Sequence, residues 1–360
     1  MSPPLSLGEL QAQAKDAAAR GAALRIRGGG SKDFYGNPPR GELLDTRGVA
    51  GIVAYEPSEL VVTARGGTPL EELEAALAAK GQMLPFEPPR FGGAATLGGC
   101  VAAGLSGPRR ASAGSARDYV LGAKLVDGRG ELLAFGGQVM KNVAGYDVSR
   151  FLAGSLGTLG VIVEVSLKVL PVPPEERTLR FELPQAEALA RLNAWGGRPL
   201  PVSASCWHAQ TLHVRLSGAP SAVRAAAAKM GGDALPDAEA AGLWTQVREQ
   251  AHAFFAGDPP LWRLSLPSTA KPLELPGTPS AAQLIEWGGA LRWARGAADP
   301  AAVRAAAAAA GGHATLFRAQ DKSAGAFAPL SPVAARLHRE LKRAFDPAGI
   351  FNPGRLYADL

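Results

Sequence analysis

Residues 136–162 read GGQVMKNVAGYDVSRFLAGSLGTLGVI, and this stretch decides the fold. Glycines and hydroxyl residues give way to β-branched ones, and the stretch runs into a strand, GVIVEVSLKVL, from Gly160 to Leu170. The loop therefore sits at the end of a sheet. Glycine has no Cβ, so its backbone approaches a second body closely. A loop of this composition asks what that body is.

Spacing excludes two familiar phosphate signatures. The dinucleotide fingerprint G-x-G-x-x-G, started at Gly28, needs glycine at 33, where the chain has Asp33. The P-loop fails as well, because Gly30-Ser31-Lys32 carries hydroxyl and amine in the wrong order. What remains is a set of separate glycine loops whose main-chain N–H groups converge on an anion as a nest. RGGGSKDFYG (27–36) directly follows the strand ALRIRG, TLGGCVAAGLSG (96–107) is a second loop, and GSLGTLGVI (154–162) is a third. The third enters a strand whose backbone groups would read an adenine edge.

These segments, in this order, resemble the FAD-binding domain of the vanillyl-alcohol oxidase (PCMH-type) family of flavoproteins, and the tail FDPAGIFNPGRLY resembles that family's closing segment. VMKNVAGYDVSRFLAGSLGTLG is similar to the glycolate oxidase branch, and the short cap agrees with its E-subunit class rather than with the longer catalytic D subunits. The resemblance implies FAD. It places Arg27, Gly28, Gly29, Gly30, Ser31 and Lys32 around the pyrophosphate, and Thr96, Gly98, Gly99, Cys100, Ala103, Gly104 and Gly107 along the second loop. Asp118 and Val120, in RDYVLG, would pass the nucleotide. Gly157, Gly160, Val161 and Ile162 would bracket the adenine end, and Asn352 would lie near the isoalloxazine. Relatives with covalent flavin carry a histidine after the first glycine loop; Ser31 and Lys32 stand there instead, so non-covalent FAD is expected.

The totals agree with such a protein. The 360 residues allow two or three domains, and 47% hydrophobic with 19% charged is a globular balance. The net charge of +6 suits an anionic ligand, but the cations are scattered and do not alternate with aromatics, which argues against nucleic acid. Two cysteines, Cys100 and Cys206, exclude a disulfide framework and a cysteine-ligated iron–sulfur cluster within the chain. The N-terminal residues lack a signal peptide's pattern, and no apolar run reaches the roughly 20 residues that span a bilayer. A cytoplasmic protein is expected, peripheral at the inner membrane through partners.

The predicted fold class is α+β. A two-part FAD domain occupies 1–172, divided near residue 85, and a helix starting at Pro69, capped by Thr68, runs to Lys80. PVPPEE (171–176) is a stiff linker into a cap at 173–330, and a helix from Pro332 to Phe345 opens a segment, 331–360, that returns to the FAD domain. Within the cap, PSAVRAAAAKMGGDAL (220–235) recurs as PAAVRAAAAAAGGHAT (300–315), each copy after a strand pair, and TLRFELP resembles LWRLSLP. The matching Pro, Val-Arg and Gly-Gly positions predict a duplication, with antiparallel strands and helices on one face.

Chemistry is harder to place. Lys141, Asn142, Tyr146, Asp147 and Arg150 either face flavin and substrate or anchor their loop. Cys100 is expected to be a packing residue. Of five histidines only His208 and His213 are close in sequence; with Tyr146 they are the weak candidates for a catalytic base, and a structural role is expected of each histidine. No metal site is predicted. Catalytic relatives carry cap histidines near a G-D-G-N turn, where this chain has EWGGALRW (286–293) with neither histidine nor acid at the turn. Trp207, Trp262, Trp287 and Trp293 are either cap core or a subunit interface. The resemblance thus implies a flavoprotein subunit oxidising a small 2-hydroxy acid such as glycolate. Its base would come from a larger catalytic flavoprotein subunit, and an iron–sulfur subunit would take the electrons. A stand-alone FAD-dependent D-2-hydroxyacid dehydrogenase and a non-catalytic FAD-binding or assembly subunit are the alternatives.

Overall fold

The computed structural model describes residues 5–137, 147–258, 260–275, 278–279, 282–296 and 299–360. Helix α1 (Leu7–Arg20) starts at a capping box between Ser6 and Glu9 and ends at left-handed Gly21. Its apolar stripe, Leu10, Ala14 and Ala17, packs on the parallel pair β1 (Leu24–Arg27) and β2 (Glu42–Asp45). Phe351 bridges the far side of Leu24, so the tail borders β1.

The second part of this region is a five-stranded antiparallel sheet. β3 (Ile52–Glu56) and β4 (Val61–Arg65) precede α2 (Leu70–Ala78), β5 (Gln82–Met83), α3 (Leu97–Ala103) and α4 (Arg110–Ala113). β6 (Val120–Val126), β7 (Leu132–Gly136), α5 (Val148–Phe151), β8 (Val161–Lys168) and β9 (Leu170–Pro171) follow. The sheet order is β3-β4-β8-β6-β7, and β5 pairs with β9. The expected division near residue 85 is therefore corrected: β3 and β4 precede it, yet β4 lies against β8 from Val61↔Lys168 to Arg65↔Glu164. Val61, Val62, Thr63 and Ala64 are all buried, so β4 needs neighbours on both faces and becomes an interior strand. The two parts separate between β2 and β3. Pro69 itself caps α2, and Thr68 Oγ1 is taken by the backbone of Gly51 instead.

The cap is one eight-stranded antiparallel sheet. Its elements are β10 (Glu175–Glu182), α6 (Gln185–Gly196), β11 (Val202–His208), β12 (Thr211–Gly218), α7 (Pro220–Met230), β13 (Asp233–Ala234) and α8 (Asp237–Arg248), then β14 (Leu261–Ser265), β15 (Gln283–Glu286), β16 (Leu291–Arg295), α9 (Pro300–Ala309) and β17 (His313–Arg318). The order β13-β10-β12-β11-β15-β16-β14-β17 reads alike from both ends. Each half has the ferredoxin-like strand arrangement, and the halves join through β11 and β15. The repeated Val223 and Val303 are both fully buried, each under its own half of the sheet.

Helices α6, α7 and α9 cover the outer face. One expectation fails: α8 lies on the opposite face, where Trp244 and Val247 join a cluster shared with the FAD domain and Trp244 Nε1 donates to Thr178 Oγ1 at 2.8 Å. All four tryptophans singled out above are buried within this chain. Trp207 and Trp262 lie in the cap core, and Trp287 Nε1 donates to Gly107 O at 3.0 Å across the domain boundary. An ion network also crosses it: the buried Arg109 and Arg215 hold Glu87 and the more exposed Glu176. Helix α10 (Pro332–Phe345) then carries the chain back to β1.

Candidate functional site

The first glycine loop leaves β1 and turns against the start of α3. A Cβ on Gly28 would lie 2.2 Å from Thr96 Oγ1, and one on Gly29 would lie 1.3 Å from the carbonyl oxygen of Ala94. Gly30 is left-handed, with φ +75°. The loop thus presses its glycines against protein and turns its amides outward. Among the described residues, the N–H groups of Gly28 to Lys32 donate to no acceptor. Buried or half-buried amides are rarely left so. The opposite wall is formed by Thr96, Gly99, Ala102, Ala103, Leu156, Asn352 and Arg355.

Asn352 closes the cleft. Its backbone is left-handed, φ +41°, its Oδ1 accepts from Ile26 N at 2.9 Å, and its Nδ2 donates to Leu156 O at 2.6 Å. One side chain therefore joins β1, the third glycine loop and the tail. Arg355 donates to Asp33 O at 2.9 Å. Burial lowers its pKa to about 10, so it stays charged near neutrality. Lys32 and Arg27 line the cleft with it, Arg27 paired to Asp33 at 2.7 Å, and a row of free amides beside this surplus of cations fits a diphosphate.

Of the residues expected at a cofactor, Arg27, Gly28, Gly29, Gly30, Ser31, Lys32, Thr96, Gly99, Ala103 and Asn352 come together here. Gly98, Cys100, Gly104 and Gly157 stand one layer behind. Gly98 packs on the carbonyls of Gly66 and Ile162, and Gly157 on Asn352. Cys100 is buried, and burial pushes its thiol up to about 12, which leaves a packing residue. Gly107, Asp118, Val120, Gly160, Val161 and Ile162 do not line this cleft. Gly107 faces the cap, and Asp118 caps the turn at Ser115, accepting from Ser115 N at 2.8 Å. Val120, Val161 and Ile162 are buried within β6 and β8. The sequence reading missed Ile26, Asp33, Ala102, Leu156 and Arg355. Arg355 had a signal, since it directly follows the Asn-Pro-Gly turn.

Lys141, Asn142 and Tyr146 lie outside the described residues. Asp147 anchors its loop by capping α5, and it pairs with Arg150 at 3.0 Å. His208 and His213 are on the cap sheet, away from the cleft. His208 Nδ1 lies 3.1 Å from Gln283 O, and its ring meets His252 edge-on. Burial, then the charges of Arg180 and His252, hold His213 down at about 4. A depressed histidine favours folding above the ordinary value of 6.5, and that contribution is lost as pH falls from 6.5 towards 4. Unfolding free energies from urea titration at pH 7 and pH 4.5 are expected to differ less in His213→Gln than in the wild type, by up to about 3 kcal/mol. Equal acid sensitivity in both would remove His213 as a cause.

The fold and the cleft define a flavoprotein of the FAD-linked oxidase type. Residues 4–136 match the family model "FAD binding domain", and residues 321–356 match "FAD linked oxidases, C-terminal domain". The glycolate oxidase subunit GlcE of Escherichia coli (strain K12) is 51% identical over 338 residues, covering 94% of this chain and 93% of that protein. The chain belongs to this FAD-linked oxidase family, in the branch that holds GlcE. A D-2-hydroxyglutarate dehydrogenase of Xanthomonas citri pv. viticola is 31% identical over 53% of this chain and 41% of its own length. The glycolate oxidase subunit GlcD of Bacillus subtilis (strain 168) is 34% identical over 36% of this chain and 27% of its own. Among solved structures, alkyldihydroxyacetonephosphate synthase superposes with a TM-score of 0.66 at 16% identity, over 97% of this chain and 76% of that one, which speaks for the fold alone.

Proposed function

We propose that this chain is the FAD-binding subunit of a complex that oxidises glycolate, or a closely related 2-hydroxy acid, to the 2-oxo acid. The observation that carries the reading is the row of free amides from Gly28 to Lys32, set between Arg27 and Arg355 and closed by Asn352. The likeness to GlcE supplies the substrate class. Bound FAD supplies a two-electron acceptor. The chain's part is to hold the diphosphate through main-chain donors and to fix the cofactor's position through Asn352. The adenine end is assigned to Gly157, Gly160, Val161 and Ile162, with Asp118 and Val120 in the segment that passes the nucleotide, and this rests on the family resemblance. The cofactor is non-covalent, since Ser31 and Lys32 occupy the place of a linking histidine. The partners are a larger catalytic flavoprotein and an iron–sulfur subunit, and any membrane association comes through them. Among the described residues no helix is long and apolar enough to cross a membrane.

Acid precipitation of the purified chain is expected to leave yellow flavin in the supernatant, and affinity capture to bring down both partners. Flavin retained on the precipitate would contradict non-covalent binding. Capture of the chain alone, with full glycolate turnover, would favour a stand-alone dehydrogenase. A colourless chain that still captures both partners would favour an assembly subunit.

A further inference from the structure

The segment that follows the free amides, Lys32 to Asn37, is held from behind by two cations. Arg355, from the tail, donates to Lys32 O at 3.3 Å, to Asp33 O at 2.9 Å and to Asn37 O. Lys322, from the cap just beyond β17, donates to Phe34 O at 2.5 Å, Gly36 O at 3.0 Å and Phe317 O at 3.1 Å. Five of the six carbonyls from Lys32 to Asn37 are so gathered by one side chain of the tail and one of the cap. Asn37 ties the same two parts together: its Nδ2 donates to Gly354 O at 2.9 Å, and its Oδ1 accepts from Ala326 N at 2.8 Å.

An ammonium has three donors, and all three of Lys322 end on carbonyls. Among the described residues it joins no ion pair, and the charge that weighs on it is another cation, Arg355. The nearby acids are engaged elsewhere: Asp321 turns to Ser323, and Asp33 to Arg27. Tyr35, in the same segment, is buried, and burial pushes its pKa up, so it stays neutral. Arg318 lies over the Phe34 ring at 4.5 Å and Lys32 over the Phe91 ring at 5.4 Å. The charges around this segment that lack a described ion pair are therefore cations: Lys32, Arg318, Lys322 and Arg355. Burial, then Arg355, hold Lys322 down at about 8, as expected of a half-buried cation beside a like charge. Such a surplus is costly until an anion meets it, and the cleft in front of Lys32 and Arg355 is open to one.

We propose that Lys322 is a positioning residue for the cofactor: from the cap it fixes Phe34 to Gly36 behind the diphosphate loop, so that cap docking and cofactor binding stabilise one another. The proposal rests on the preceding reading that the cleft takes FAD. An ammonium favoured by a bound anion favours that anion in return. The test is fluorescence titration of the full chain, stripped of flavin, with FAD. Lys322→Met should weaken FAD by at least about tenfold, and Lys322→Arg should stay within about threefold of the wild type. Lys322→Gln, which keeps amide donors without the charge, should fall between them. The wild type should lose up to about tenfold in affinity between pH 7 and pH 9, as the ammonium of the empty chain gives up its proton. Lys322→Arg does not titrate in that range and should lose correspondingly less, while Lys32 titrates in both proteins and cancels. This comparison stands even if Lys322→Met does not fold. A merely structural lysine would lower the melting temperature of the flavin-free chain and leave FAD affinity and its pH slope as in the wild type, which would overturn the proposal. Equal pH slopes in wild type and Lys322→Arg would overturn it too. A wild type that takes up no FAD would instead overturn the preceding reading, and this one with it.

Discussion

Gly29→Val is expected to lose its flavin. The added Cβ would lie 1.3 Å from Ala94 O, an overlap with backbone that no rotamer relieves. The loop of Gly28 to Lys32 must then move away from residues 94–96, and its amides no longer converge. The substitution acts from behind the site: the side chain invades neighbouring protein, not the space of the diphosphate. A misplacement costing only about 1.4 kcal/mol lowers affinity tenfold, and this overlap exceeds that, so flavin content after dialysis should fall below about one-tenth. The cap should stay folded, because its clusters around Leu212 and Leu264 contain no FAD-domain residue. The ratio of flavin to protein absorbance, with the melting curve beside it, reads both outcomes. Full flavin content would remove the first loop from the site.

The second large effect is expected at Lys342, one layer behind Asn352. Its ammonium is buried and donates to Thr158 O at 2.8 Å, Phe351 O at 2.7 Å and Asp346 Oδ2 at 2.7 Å. Asp346 is 1% exposed and in turn accepts from Ile350 N and Phe351 N. Lys342→Met strands the Asp346 charge in the interior, a loss of about 3–5 kcal/mol. The double variant with Asp346→Asn should recover part of it, since no buried charge is then left unpaired. Urea unfolding of the three proteins measures this. A single-variant loss under about 1 kcal/mol would show that the pair does not organise the tail.

How far the sequence reveals this molecule depends on how local each signal is. The first glycine loop, the turn between β6 and β7 and helix α10 are written in short runs of residues, whereas the second glycine stretch, 96–107, folds for the most part as helix α3 and not as a loop. Asp127 accepts from Arg129 N and Glu131 N, which is the turn its neighbours imply. The duplicated cap was also legible, because Val223 and Val303 repeat a fully buried position. Its two-fold strand order was not, because strand adjacency is a pairing between distant residues. Nor was one difference between the halves: the described residues of 266–282, where α6 stands in the first half, contain no α-helix, and the stretch holds Pro267, Pro272, Pro276 and Pro279. That Glu286 is buried at the end of β15 was not legible either, because nothing local distinguishes a buried strand carboxylate from an exposed one. The placement of β4 beside β8 rests on pairing partners about a hundred residues away.

The bond from Ile26 N to Asn352 Oδ1 spans 326 positions, and Phe351 borders the first strand. During synthesis, then, β1 and its glycine loop leave the ribosome long before their partner exists. At about 5–20 residues per second the wait is roughly 16–65 s. Through that interval the nascent chain has the first glycine loop without the residue that closes it, so the cleft forms only once the tail has been made. A chain cut short before Asn352 would carry the glycine loop and yet lack the side chain that ties it to Leu156.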